Sequence, residues 1–252
     1  MDRFIRLEQL TVGYDGKPVV RDIEVSLRRG RILSLIGPNG SGKSTILKTI
    51  TKQLKAIGGA VFIGENSVES LGPREMSRRM AAALTERSKP ELMTCGEAAA
   101  AGRYPYTGML GVLSKRDKEK VDEALRIVGV FELKNRLCSE VSDGQLQRIT
   151  LARAICQEPE IIMLDEPTSF LDIRYAVEIL DVLRQMANER GVAVVMSLHE
   201  LNYAKRVSDL VMCVKDGRVL YLDTPDVIFT EAAISRLYDL PEGTYSQLFG
   251  GL

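Results

Sequence analysis

Charge of one sign is what this chain lacks first. Among its 252 residues, 34 Lys and Arg stand against 34 Asp and Glu, for a formal charge of zero. The basic footprint of a nucleic-acid binder is missing, so no nucleic-acid partner is expected. Long apolar runs are missing too: "VAVVMSL" is typical of the longest, far short of the about 18 residues that a membrane-crossing helix needs. The opening "MDRFIRLEQL" has no apolar h-region, so no secretory signal is expected. Cysteine is sparse and scattered. Cys95, Cys138, Cys156 and Cys213 form no C-x-x-C pair. That argues against a zinc centre or a disulfide frame and fits reduced, buried thiols in a cytosol. Histidine is scarcer still, with His199 alone. What remains is ordinary. Apolar residues at 45% and charged residues at 27% allow a sizeable core and a soluble surface, in one large domain or two small lobes.

The pattern along the chain alternates strand and helix signals. Ile23, Val25 and Leu27 alternate with Asp22, Glu24, Ser26 and Arg28, which is the period of a strand. "RILSLI" reads as a buried strand ending at Gly37, a helix follows Lys43, and "GGAVFIGENS" reads as a strand and turn. From about Arg74 to Gln157 the texture turns helical, in "PREMSRRMAAAL", "CGEAAAAGR", "KRDKEKVDEALRIVGVF" and "QRITLARAICQ". "EIIMLDEP" then returns to a buried strand. In "IRYAVEILDVLRQMANERG", Ala176, Val177, Leu180, Leu183 and Ala187 fall at helical spacing, with Gly191 as C-cap. "VAVVMSL" is another buried strand, and "LVMCVKDGRVLYL" is a hairpin turning at Asp216 and Gly217. The chain therefore reads as one α/β core interrupted by a helical block, without internal repeats.

"GPNGSGKST", residues Gly37, Pro38, Asn39, Gly40, Ser41, Gly42, Lys43, Ser44 and Thr45, matches G-x-x-x-x-G-K-[ST] between a buried strand and a helix. Glycines let the backbone curl until its N–H groups surround phosphate oxygens, and the helix N-terminus adds partial positive charge. Lys43 is expected to reach the β- and γ-phosphates of a nucleotide, and the Ser44 hydroxyl to ligate Mg²⁺. Asp165 and Glu166 end the apolar strand "IIMLD". Adjacent strand residues point apart, which suits a metal-side carboxylate at Asp165 and a general base for the attacking water at Glu166. His199 also follows a strand, at the sheet edge where open α/β folds bind ligands, and reads as a γ-phosphate contact. Three strand ends thus carry groups suited to a phosphate.

The order of these motifs, with "VSDGQLQR" and "SFLD" between them, resembles the ATP-binding cassette (ABC) ATPases over nearly the whole chain. The resemblance implies an α/β P-loop NTPase (RecA-like) core with an N-terminal antiparallel β subdomain and an inserted α-helical subdomain. Residues 1–86 and 158–252 would form the core and 87–157 the helical subdomain of a single cassette. It also implies a homodimer or cassette pair, in which ATP sits between the phosphate loop of one copy and the signature (Ser142, Asp143, Gly144 and Gln145) of the other. Tyr14 matches the aromatic that stacks on adenine, and Asp172 the loop that crosses to the partner. Tyr104 and Tyr106 in the helical block are expected either at a membrane permease or simply in packing. The segment "AAAAGRYPYTGMLGVLSKRDKEKVDEAL" is most similar to importers of iron chelates, haem and vitamin B12. Such an importer also implies an extracytoplasmic binding protein, and a place for this chain at the cytoplasmic face of the membrane of a bacterial or archaeal cell.

Two departures from the family pattern matter. Glu86 stands where a glutamine usually touches Mg²⁺ and water, and a carboxylate keeps that ligation while adding charge. Asp143 stands where the signature "LSGGQ" has glycine. Ser142 and Gln145 keep the spacing of a capping box, which puts Asp143 at the first helical position, where an acid favours the helix. The other reading is a non-hydrolysing ATP-binding scaffold, against which Lys43, Glu166 and His199 all stand. An ABC ATPase of DNA repair would need a long coiled coil, one of translation usually has two cassettes, and a small-molecule P-loop kinase would not need "VSDGQLQR".

Overall fold

The computed structural model describes residues 4–84, 90–108 and 110–250. Among the described residues ten strands form one sheet: β1 (Ile5–Tyr14), β2 (Lys17–Leu27), β3 (Ile32–Ile36), β4 (Gly58–Ile63), β5 (Asn66–Ser67), β6 (Met80–Ala83), β7 (Ile161–Asp165), β8 (Ala193–Ser197), β9 (Leu210–Lys215) and β10 (Arg218–Asp223). Their order is β5-β4-β1-β2-β10-β9-β3-β8-β7-β6. β1, β2, β4 and β5 pair antiparallel at one end. β9, β3, β8, β7 and β6 run parallel at the other. The single pairing of Arg218 with Arg21 joins the two halves. This is an antiparallel N-terminal sheet fused to a parallel P-loop core, as the sequence implies.

The helices are α1 (Lys43–Ile50), α2 (Pro73–Arg79), α3 (Cys95–Ala100), α4 (Lys115–Ile127), α5 (Asp143–Cys156), α6 (Ile173–Arg190), α7 (Leu201–Val207), α8 (Pro225–Ile228), α9 (Glu231–Tyr238) and α10 (Thr244–Phe249). The parallel strands are buried on both faces, and their side chains alternate between two cores. Ile162 and Leu164 of β7, with Val194 and Met196 of β8, join a core shared with α3 to α6. Met163 of β7 and Val195 of β8 join a core shared with α1 and the antiparallel strands. Burying a side chain such as Leu180 or Leu183 of α6, at 1% and 0% exposure, stabilises the fold by about 1.5–3 kcal/mol each.

Between β6 and β7 the chain forms a helical cluster of α3, α4 and α5. Each of these helices begins with a reciprocal capping box: Thr94 with Glu97, Ser114 with Asp117, and Ser142 with Gln145. Each box satisfies orphan N–H groups that a short helix would otherwise leave to water. At the base of the cluster, buried Arg103 binds Asp117 at 2.9 Å, Glu158 at 3.0 Å and the Cys156 carbonyl at 2.6 Å. All four cysteines are buried and free.

Three expectations change. "MAAAL" is not helical: α2 ends at Arg79, and Met80–Ala83 is the edge strand β6, paired parallel with β7. Alanine's helix propensity is a weak prior, and a sheet edge that needs a partner overrides it. On α6 the buried stripe includes Ile179 and Met186, while Val177 is only half-buried. The sequence pattern assigns no element to residues 224–250, where the structure places α8, α9 and α10.

Candidate active site at the strand ends

The phosphate loop leaves β3 and enters α1. β3 lies between β8 and β9, and β7 lies on the far side of β8, so Gly37, Asp165 and His199 emerge at neighbouring carboxyl ends of parallel strands. The antiparallel sheet supports the loop from the side. Gly42 has φ 105, and a Cβ there would stand 2.4 Å from a Val20 methyl of β2. No other residue type fits that turn without moving β2. Lys43 turns back on the loop, its ammonium donating to the Gly37 carbonyl at 2.7 Å and the Pro38 carbonyl at 3.0 Å. Burial lowers the Lys43 pKa, and the nearby carboxylates of Glu166 and Asp165 pull it back up. Tyr14, at the end of β1, is 46% exposed beside the loop, its hydroxyl 3.4 Å from that of Thr45.

Asp165 is buried at 5% exposure and follows Ile161 and Met163 on the face toward α1, the helix whose second residue is Ser44. Ser197 of β8 lies opposite it in register and donates a 2.6 Å hydrogen bond to Asp165 Oδ1. The same hydroxyl accepts the Glu166 amide at 2.9 Å. Glu166 turns the other way. It sits at φ 53, a conformation that non-glycine residues rarely adopt and that gathers at functional sites. Its Oε1 is 2.5 Å from His199 Nε2, and its Oε2 accepts the Ser169 hydroxyl at 3.0 Å. Thr168, buried beside Glu166, donates to Glu200 at 3.1 Å and ties the acidic turn to the His199 turn. The structure therefore brings Lys43, Asp165, Glu166 and His199 together.

A hydroxyl at the start of α1 and a buried carboxylate are hard oxygen donors, the set that suits Mg²⁺ carried in on a nucleotide. Among the described residues no group of three or more His, Cys, Asp or Glu forms a metal cage, and Mg²⁺ does not require one when phosphates complete its shell. Glu86 lies outside the described residues.

The remaining expected residues make other contacts, and α5 reaches the acidic turn where Gln147 donates to the Glu166 carbonyl at 3.4 Å. Ser142 caps α5, accepting the Gln145 amide at 3.2 Å, while the Gln145 side chain accepts the Ser142 amide at 3.0 Å. Asp143 is exposed at the first helical position. Gly144 packs within the chain: a Cβ there would meet the Phe170 carbonyl at 2.8 Å. Asp172 caps α6, accepting the Tyr175 amide at 3.1 Å. Phe170 and Ile173 beside it are 75% and 76% exposed. Tyr106 is a packing residue, bonded to the Gln157 carbonyl at 2.9 Å with its ring under Arg103. Tyr104 is 54% exposed and lines an open groove of about 510 Å³ with Arg74, Ser77, Pro105, Arg153 and Gln157. Sequence reasoning missed Ser197, although strand alternation places it on the same face as Asp165.

The ABC transporter family model matches residues 20–169. The chain belongs to the ABC transporter family. It is 40% identical to an uncharacterized ABC transporter ATP-binding protein of Methanocaldococcus jannaschii, over 98% of this chain and 85% of that protein. It is 34% identical to the iron(3+)-hydroxamate import ATP-binding protein of Bacillus subtilis, over 92% of this chain and 87% of that protein. Among solved structures, a dimeric ATP-binding cassette in a post-hydrolysis state with ADP and Pi superposes with a TM-score of 0.78 at 25% identity, covering 88% of this chain and 98% of that one. This ABC cassette has, among its described residues, no helix long and apolar enough to cross a membrane.

Proposed function

We propose that this chain is the ATP-hydrolysing subunit of an ABC importer that takes up a metal chelate of the ferric-siderophore type. One observation carries the hydrolytic part. At the end of β7 and β8, Glu166 is oriented by Ser169 and His199 beside a phosphate loop whose Lys43 is in place. A non-hydrolysing scaffold would have no use for a strained, hydrogen-bonded carboxylate there. The substrate class is supported by full-length similarity to the iron(3+)-hydroxamate import subunit.

In this reading ATP binds with its adenine on Tyr14 and its phosphates against the N–H groups of residues 40–45. Lys43 moves from the loop carbonyls to the β- and γ-phosphates. Ser44 and Asp165 would hold Mg²⁺, which supplies charge neutralisation on the phosphate oxygens. Glu166 accepts a proton from the attacking water, and His199, freed from Glu166, donates to the γ-phosphate. Ser142 and Gly144 of a second copy, with the exposed Phe170–Ile173 loop, close the site. The groove at Tyr104 and Arg74 receives a permease segment, which places the chain on the cytoplasmic side of a membrane, fed from outside by a binding protein.

Steady-state ATPase measurement on the purified protein tests this reading. Glu166→Gln should retain ATP binding and lose at least about a hundredfold in turnover, the usual cost of removing a general base. Tight ATP binding by the wild type without turnover would establish the scaffold instead. Co-purification with its permease, followed by ligand identification, tests the chelate.

A further inference from the structure

We infer that Tyr238 is a positioning residue for the phosphate loop, and that through it the C-terminal helices set the affinity for ATP. The inference rests on residues 37–45 being the ATP site.

Tyr238 is the last residue of α9, and its hydroxyl accepts the Gly37 amide at 3.2 Å. The Gly37 carbonyl in turn accepts Lys43 Nζ at 2.7 Å. The first residue of the loop is therefore gripped on both sides, by the C-terminal helix and by the phosphate-binding lysine. The position also admits no side chain. At φ 146, a Cβ on Gly37 would lie 2.1 Å from the Val214 carbonyl of β9.

The helix that carries Tyr238 is itself fixed. Ile234 and Leu237 are fully buried. Lys215, at the end of β9, donates to the Arg236 carbonyl at 2.7 Å and to Asp239 at 2.6 Å, binding the C-terminal end of α9. Glu231, at its start, accepts the Gly243 amide at 2.8 Å and the Ser246 amide at 2.7 Å, which joins α10 to α9. Packing alone would be served by a phenylalanine. Burial raises the Tyr238 pKa to about 12, and the neutral phenol oxygen accepts the Gly37 amide.

Holding Gly37 in the nucleotide-free chain moves part of the loop's ordering cost from binding to folding. Without the hydroxyl, the Gly37 amide loses its partner and the loop relaxes. The Tyr238 hydroxyl bonds the Gly37 backbone and not a side chain assigned to the reacting phosphate, so the loss is expected to fall on binding and to spare the chemical step.

The test compares full-length wild type, Tyr238→Phe and Lys43→Ala by Kd for a fluorescent ATP analogue, KM and kcat for Mg-ATP, and thermal unfolding without nucleotide. Tyr238→Phe is expected to raise Kd and KM together by roughly three- to tenfold, the cost of one unpaired donor, with kcat within about twofold. Wild-type Kd and KM in Tyr238→Phe, with or without a lower melting temperature, would make the residue merely structural and overturn the inference. A Lys43→Ala protein that binds ATP as tightly as the wild type would instead remove the ATP-site reading underneath it.

Discussion

Ser197 and Asp165 face each other across two parallel strands, and the serine hydroxyl donates to Asp165 Oδ1 at 2.6 Å. Because the same oxygen accepts the Glu166 amide at 2.9 Å, one hydroxyl aims the metal-side carboxylate and anchors the turn that presents the general base. Ser197→Ala leaves a buried carboxylate short of a donor and a backbone amide short of an acceptor. The expected cost is about 1–3 kcal/mol in transition-state stabilisation, or roughly five- to 150-fold in kcat/KM. The Mg²⁺ concentration for half-maximal ATPase should rise in parallel. Titration of Mg²⁺ at fixed ATP checks this, and an unchanged half-saturation with lowered stability would assign Ser197 to packing alone.

Asp143 departs from the signature pattern, and the capped helix start that the sequence predicts around it is what the structure shows. Ser142 and Gln145 complete their reciprocal bonds with the aspartate in place, and Asp143 is exposed in the first turn. An acid there favours the helix by about 0.3–1 kcal/mol. Asp143→Gly should change ATPase activity only a few-fold and slightly lower the melting temperature. A gain of about a hundredfold would show instead that the carboxylate acts as a brake on closure, through about 2.7 kcal/mol of repulsion.

The site was legible where a motif dictates local geometry. The loop from Gly37 to Thr45 follows from backbone demands on glycine and from the lysine's charge, and Asp165 and Glu166 follow from a strand end. The α6 helix was legible because its apolar period survives in the composition. β6 was not, since four residues of Met80–Ala83 carry no period and take their form from pairing with β7. Ser197 gains its meaning only from its register opposite Asp165. Tyr238 meets Gly37 across 201 positions of sequence, and no local pattern encodes such a contact.

Arg103 organises the helical cluster as the glycines organise the loop. Its guanidinium is 5% exposed and pairs with Asp117 and Glu158. Asp117 is itself held below the usual carboxylate range, first by the Ser114 hydroxyl and further by Arg103. Arg103→Met keeps the volume but strands the buried acid, so the expected loss of stability is about 3–5 kcal/mol. Arg103→Lys should recover only part of it, because an ammonium cannot reproduce the guanidinium's fixed fork. Urea unfolding of the three proteins checks the order wild type, Lys, Met; a Met variant as stable as the wild type would show that the ion pairs only offset their own desolvation.

Glu231 gives the C-terminal helices a pH signature. The Ser246 hydroxyl, then the Ser246 amide, the Ser235 hydroxyl and the Gly243 amide, stabilise its carboxylate and lower its pKa from 4.5 to about 2. A pKa lower in the folded chain means that the unfolded chain takes up the proton first. The contribution to stability is therefore fully present above about pH 4.5 and is lost as pH falls toward about 2. Glu231→Gln removes this term at all pH values. Melting temperature plotted against pH should accordingly fall more steeply below about pH 4.5 in the wild type than in the variant, and the two curves should converge in acid. Parallel curves would mean that Glu231 titrates alike in both states and that its four hydrogen bonds do not favour the charged form.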